Sequence, residues 1–340
     1  MRYLFFISQN YSFEILRPLQ EQARQRGAIV KWFVYLDRVN TKLFNPGEDF
    51  TCDAAEAVAF APDAVFVPGN IVPKFIPGLK VEVFHGFEWK KKGHFRIRGC
   101  FDLYCTQGPF FTERFEQLAK QHKFFDVVET GWTKLDPLFS ARPLDLNPSG
   151  KPCILYAPTF SPSLTSAATL KSEIERLSRQ RDWLWLIKFH PKMPPEVVEQ
   201  FKAMQHDKLG VVEVSEISRL LQTADVIVSD TSSIITEFLL LNKPAVTFNN
   251  AAPEPVLINI TQPQRLNDAI EQALNPDQER QQRIEDYNRK IHPYQDGRSA
   301  ERVLNAVEHR VQHGKHAPKP LPLNLIRNLK MRKQLGYWKI

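Results

Sequence analysis

The chain reads as an α/β protein built from two successive halves, each a mostly parallel sheet wound with helices. Three observations predict this. Short, fully apolar runs alternate with helix-spaced polar segments along most of the chain. The alternation is broken near the middle by ARPLDLNPSGK, residues 141–151, whose Pro, Asn, Ser and Gly content suits a linker. The length, 340 residues, exceeds what one compact core usually holds.

In chain order, residues 3–7 form a buried-strand run, and residues 13–26 have helical spacing before the turn at Gly27. Residues 29–35, 64–67 and 81–84 supply the second, third and fourth strands, and residues 125–128 are again strand-like. Beyond the linker, residues 153–157, 184–189, 226–229 and 245–248 read as strands. Residues 170–180, 218–224 and 231–241 read as the helices between them. The expected division is a Rossmann-like lobe over 1–145, a second over 151–295, a crossing helix over 296–313 and a tail over 314–340. Two such lobes would set a cleft between them, the usual place for a ligand.

Composition narrows the class. A hydrophobic content of 43% with 24% charged residues excludes a disordered, collagen-like or disulfide-scaffold chain. No stretch approaches the ~18 consecutive apolar residues of a spanning helix. The apolar start lacks a small-residue cleavage site and reads as a strand, not a signal peptide. Cys52, Cys100, Cys105 and Cys153 are irregularly spaced, which suits a reducing cytoplasm.

The net charge of +7 is unevenly placed. From Arg310 onward there are eight cations and no Asp or Glu, so the other 37 basic residues face 38 acidic ones. A nearly neutral body carries a basic tail. Aromatic and basic residues are not interleaved as in a nucleic-acid platform, so no nucleic-acid partner is expected. Leu323, Leu325, Ile326 and Leu329 beside Arg327, Lys330, Arg332 and Lys333, followed by Tyr337 and Trp338, read as an amphipathic cationic helix. The proline-containing stretch 317–322 would hold it off the body as a stiff spacer. The expectation is a cytoplasmic protein, peripheral at the inner face of the cell membrane through its tail.

Three segments carry candidate chemistry. In VIVSDTSSIITEF, residues 226–238, a strand ends at Asp230 and Thr231, Ser232 and Ser233 open a helix. Backbone N–H groups and hydroxyls at such a start suit a phosphate, with Glu237 on the same helix able to reach a ligand hydroxyl. A simple helix cap and a surface ion pair are the plainer alternatives. His190 follows a strand and is fixed by Pro191, at the edge where ligands collect in a parallel sheet. His85 likewise follows a strand, with Gly86 beside it and Lys90, Lys91 and Lys92 close behind. A neutral histidine there could take a proton from an attacking hydroxyl, and the lysines could offset phosphate charge or form a solvated turn. Lys134 in GWTKLD and Thr159 in YAPTF are weaker candidates for the same site. No D-x-D clamp, Walker loop, GxGxxG, HExxH or GxSxG occurs, so no metal and no cofactor are expected.

These residues resemble the bacterial CDP-glycerol glycerophosphotransferase-like proteins. That family's H-G-x-x-x-x-K is similar to His85, Gly86 and Lys90, and its G-x-P-R-x-D to Gly131, Lys134 and Asp136. I-L-Y-A-P-T matches residues 154–159, and K-x-H-P matches Lys188, His190 and Pro191. S-D-Y-S-S with a later acid and a K-P strand is echoed by residues 229–233, Glu237, Lys243 and Pro244. D-G-x-x-[AS]-x-R resembles residues 296–302. The resemblance implies a GT-B fold with the acceptor side in the first lobe and the nucleotide donor in the second. It also implies a transferase, independent of metal, moving a polyol phosphate or sugar from a CDP-, CMP- or UDP-activated donor. The acceptor hydroxyl would belong to a lipid-linked or polymeric cell-envelope chain, of teichoic-acid or capsule type. His85 and His190 would be catalytic, with Lys90, Lys134, Thr159, Asp230, Thr231, Ser232, Ser233 and Glu237 on donor and phosphate. The alternative is a nucleotide-sugar epimerase of the UDP-N-acetylglucosamine 2-epimerase type. Its S-D-S-G-G loop would here carry Ser232 and Ser233 in place of the glycines. A non-catalytic scaffold is the third reading.

Overall fold

The computed structural model describes residues 1–35, 38–87, 93–214 and 216–338. The chain divides into two compact units, Met1–Pro137 with Lys290–Ile340, and Leu138–Arg289.

In the first unit, β1 (Arg2–Ile7), α1 (Ser12–Gln25), β2 (Ile29–Val34), β3 (Phe50–Thr51), α2 (Ala54–Ala59), β4 (Ala64–Val67), β5 (Leu79–Glu82), β6 (Leu103–Thr106), α3 (Pro109–His122) and β7 (Asp126–Glu129) follow in order, and the division between the units falls within α4 (Asp136–Ser140). The seven strands lie in the order β3-β2-β1-β4-β5-β6-β7, every pair parallel. Strands such as β4, AVFV, are buried at every residue, which is why their sequence shows no alternation. Aromatic side chains fill much of this core. Phe5 and Trp32 meet edge-on at 5.0 Å, and the Trp32 indole N–H donates to Gln20 at 2.7 Å.

The second unit contains β8 (Cys153–Tyr156), α5 (Ala167–Gln180), β9 (Leu184–Ile187), α6 (Pro195–Lys202), β10 (Leu209–Val211), α7 (Ile217–Thr223), β11 (Val226–Ser229), α8 (Ile234–Leu239), β12 (Ala245–Phe248), β13 (Ile258–Ile260), α9 (Leu266–Leu274) and α10 (Gln278–Ile291). Its sheet runs β10-β9-β8-β11-β12-β13, again all parallel. Both orders reverse beside their first strand, at β1/β4 and at β8/β11. That reversal is where an open α/β sheet binds ligands, at the carboxyl ends of the strands.

After α10 the chain rejoins the first unit with α11 (Ser299–His313) and α12 (Leu325–Leu335). Here the structure corrects an expectation. The tail is not held away from the body but is packed on the first unit. Met331 is 2% exposed within that unit's core, and Tyr337 stacks on Phe75 at 4.7 Å. Asp126 receives Arg310 Nε at 2.7 Å and the backbone N–H groups of His316 and Ala317, each at 2.8 Å. Asn324 donates to the carbonyls of Arg98 and Gly99, and Arg327 to that of Arg98. The spacing of apolar residues had two faces to satisfy. Met331 and Leu335 turn inward, whereas Leu323, Leu325, Ile326 and Leu329 stay more than half exposed. Among the described residues no helix is long and apolar enough to cross a membrane.

Candidate functional site

The second unit builds its ligand edge around Asp230. This residue directly follows β11 and is fully buried. Its Oδ1 accepts the N–H of Thr159 at 2.9 Å and of Thr231 at 2.7 Å. Its Oδ2 accepts both the N–H and the hydroxyl of Ser166 at 3.0 Å. The carboxylate therefore ties the loop after β8 to the loop after β11, and its oxygens are occupied by the protein itself. A buried charge persists only with such partners. From the other side Asn250, after β12, donates to the Asp230 carbonyl at 2.6 Å.

The Thr231 bond also moves the helix. The sequence pattern predicted a start at Thr231, but α8 begins only at Ile234, because Asp230 holds Thr231 in a side-chain-to-backbone turn. Thr231, Ser232 and Ser233 form that turn, and the Thr231 hydroxyl accepts the Ala251 N–H at 3.1 Å. Among the described residues the hydroxyls of Thr159, Ser232 and Ser233 have no hydrogen-bond partner. Glu237 is buried on α8.

His190 lies at the same edge, just after β9. Its ring stacks on Phe160 at 4.4 Å. The Lys192 backbone N–H donates to Nδ1 at 3.1 Å, so Nδ1 is the accepting nitrogen and the neutral ring carries its proton on Nε2. Partial burial, and then the charges of Lys192 and Lys188, hold its pKa below the usual histidine value. The imidazole is thus a neutral donor at pH 7.

The first unit arranges its histidine in the opposite sense. His85 follows β5, and its Nδ1 lies 3.2 Å from the Pro68 carbonyl, which can only accept. Nδ1 therefore bears the proton and Nε2 is left as an acceptor. Tyr11, after β1, lies against the ring at 5.7 Å. The preceding residue, Phe84, has φ +57, a left-handed conformation that a bulky side chain adopts only under constraint. The constraint is visible. Its ring is packed by Tyr104 and Phe115, and its carbonyl accepts the Trp132 indole N–H at 3.3 Å. Gln107 Nε2 holds the Gly86 carbonyl at 3.0 Å. Lys90 lies outside the described residues. Lys134 reaches Glu14 at 3.6 Å and sits over the Trp132 ring at 5.4 Å.

Two motifs that looked like site chemistry turn out to lock each other. Asp136 accepts the first backbone N–H groups of α11, Ser299 at 2.8 Å and Ala300 at 2.7 Å, and so caps that helix. Gly131, at φ +80, abuts Ser299 and His292 so closely that a Cβ would lie 2.5 Å from the Ser299 hydroxyl. His292, which sequence reasoning missed, is fully buried and accepts the Trp132 N–H on Nε2 at 2.9 Å. Burial pushes its pKa down to about 4. The available signal was a second His-Pro pair, at 292–293, matching 190–191. Among the described residues no three His, Cys, Asp or Glu side chains are grouped as a metal site.

The profile of the CDP-glycerol:poly(glycerophosphate) glycerophosphotransferase family matches residues 100–309, more than half the chain. The chain belongs to that family. Among curated relatives of this glycerophosphotransferase-family chain is the teichoic acid ribitol-phosphate polymerase TarL of Staphylococcus aureus. It is 27% identical over 232 residues, covering 58% of this chain and 39% of the relative. The chain thus spans well under half the length of that relative. Among solved structures, a variant of the wall teichoic acid polymerase TagF shares the fold. Its TM-score is 0.63 at 13% identity, over 92% of this chain and 89% of the other. A Listeria monocytogenes protein described as a putative UDP-N-acetylglucosamine 2-epimerase has a TM-score of 0.67 at 14% identity, over 95% and 99%. The GT-B-type fold expected from the sequence is therefore the fold of this family member.

Proposed function

We propose that this chain transfers a polyol phosphate, glycerol phosphate first, from a CDP-activated donor to an acceptor hydroxyl of a lipid-linked or polymeric envelope chain. The observation that carries the reading is the opposed proton placement on two histidines, accepting Nε2 on His85 and donating Nε2 on His190. His85 Nε2 takes the acceptor hydroxyl proton as the oxygen attacks the phosphorus next to glycerol. The bond from that phosphorus to the bridging oxygen breaks, and CMP departs with the bond's electron pair. His190 Nε2–H, with the hydroxyls of Thr159, Ser232 and Ser233, stabilises the charge that develops on the phosphate oxygens of the departing CMP. Asp230 serves the donor site by positioning the Thr159 and Thr231 loops. Lys134 and Lys90 remain candidates for offsetting donor charge, and Glu237 for a donor hydroxyl.

The test is a radiolabelled CDP-glycerol assay with a lipid-linked acceptor. His85→Ala and His190→Ala are each expected to lower kcat by 10² or more, the usual share of acid–base catalysis. Activity is expected to persist in EDTA, and a loss restored by Mg²⁺ would overturn the metal-independent mechanism. The likeness to an epimerase favours a second reading, which 2-epimer formation from UDP-N-acetylglucosamine would reveal. The basic tail supports peripheral binding at the anionic inner membrane face, through the exposed side of α12 and not through a detached arm.

A further inference from the structure

Beneath α12 the first unit encloses a cavity of about 280 Å³, several times the ~30 Å³ one water occupies in the liquid. Its polar lining includes Lys74, Lys80, Asp102, Asn324 and Asn328. Lys80 is 5% exposed, and its ammonium donates only to carbonyls, Gly78 at 2.6 Å and Pro77 at 3.4 Å. Lys74 donates to the Pro322 carbonyl at 3.4 Å. Among the described residues neither cation has an ion-pair partner. Asp102 receives the Lys80 backbone N–H at 3.0 Å and the Lys315 ammonium at 3.4 Å, and its charge acts on the Lys80 ammonium as well. Burial lowers the Lys80 pKa to about 8, against the opposing pull of the Asp102 charge. The lining thus holds two cations, one of them buried, against a single carboxylate that Lys315 shares, so the cavity is left net positive.

The lining is continuous, through Asn324, with a shallow apolar depression formed by Leu323, Leu325 and Ile326 and edged by Arg327 and Lys330. These three apolar side chains are 64–73% exposed. A free phosphate would use the cavity alone and leave that ridge unexplained. An amphiphile with an anionic head uses both.

We propose that this cavity is a headgroup pocket for an anionic phospholipid, with Lys74 and Lys80 on the phosphate and the Leu325–Ile326 ridge against its acyl chains. This rests on the membrane reading above but is separable from it. The experiment compares the full chain with Lys74→Ala/Lys80→Met and with Leu325→Ser/Ile326→Ser. Binding is read by co-sedimentation with phosphatidylcholine vesicles, with and without phosphatidylglycerol. A thermal-shift arm uses dihexanoyl phosphatidylglycerol below its micellar concentration, and inorganic phosphate. Expected are a loss of tenfold or more in phosphatidylglycerol-vesicle affinity for both variants, and loss of the short-chain lipid shift in the lysine variant. Vesicle binding unchanged in the lysine variant but lost in the ridge variant overturns the pocket and leaves membrane docking standing. If wild type binds no vesicles, docking fails, and the pocket then stands or falls on the short-chain lipid shift. An equal shift with inorganic phosphate alone would also overturn the lipid assignment. Should the double lysine variant melt early, Lys74→Ala, an exposed site, is expected to weaken vesicle binding about threefold, and no change there counts against the pocket.

Discussion

The two units share a strand order but hold their ligand edges by different means. The second uses a polar clamp, the buried Asp230 carboxylate gathering the loops after β8 and β11. The first uses an aromatic one, in which Phe84 is kept left-handed by its ring neighbours and by the Trp132 indole. The difference suits the roles proposed above for the two histidines. Loops that leave hydroxyls and N–H groups facing outward need an acceptor beneath them to consume the donors facing inward. A histidine serving as base needs a fixed ring and one carbonyl, which packing and a single turn can provide. A polar clamp fails abruptly when one member is lost, because its donors are stranded in the interior. An aromatic clamp loosens by degrees.

That contrast can be broken at Asp230 first. Asp230→Ala strands the buried N–H of Ser166 and the N–H of Thr159 and Thr231, leaving the Ser166 hydroxyl only Tyr156, with an expected loss on the order of 4 kcal/mol in urea unfolding. A loss below about 1 kcal/mol would mean that the clamp is not holding those loops.

A second, somewhat smaller effect concerns His292 in the first unit. Its folded pKa of about 4 lies below the ordinary histidine value of 6.5, so the unfolded chain binds the proton first as pH falls. The stabilisation is complete above pH 6.5 and is lost as pH drops towards 4, by about 3 kcal/mol at 1.36 kcal/mol per pKa unit. His292→Gln should flatten that limb of the stability–pH curve, and an unchanged limb would assign it to other groups.

The smallest effect sharpens the aromatic side. Trp132→Phe keeps most of the ring but removes the N–H to the Phe84 carbonyl. About 1 kcal/mol of stability should go, together with roughly a tenfold fall in kcat at unchanged donor KM, if His85 is displaced. A histidine NMR titration of the variant would register the change at His85, and an unmoved His85 signal would reduce Trp132 to a packing residue.

Much of this was legible in the sequence. Fully apolar runs identified β4, β11 and β12 at their observed bounds, since a strand covered on both faces needs apolar residues at every position. β1 and α1 were placed within a residue or so. Short runs such as β6 and β13, each entered from irregular chain, carry little strand signal in the sequence, and the polar helix α10 carries little apolar periodicity. The expected fourth strand, 81–84, is seen at Leu79–Glu82, because Phe84 leaves the sheet in its left-handed turn.

By itself the sequence determined two parallel α/β halves, their motif-bearing loops at strand ends, and the family resemblance, because each depends on local order along the chain. Tertiary structure alone decided that Asp136 caps a helix 163 residues away and that Asp230 ties together the loops after β8 and β11. It alone decided that His292 is buried and that Met331 draws the tail onto the body. Each of those roles is set by partners far along the chain. A carboxylate or a methionine reads the same in sequence whether a neighbour covers it or water does.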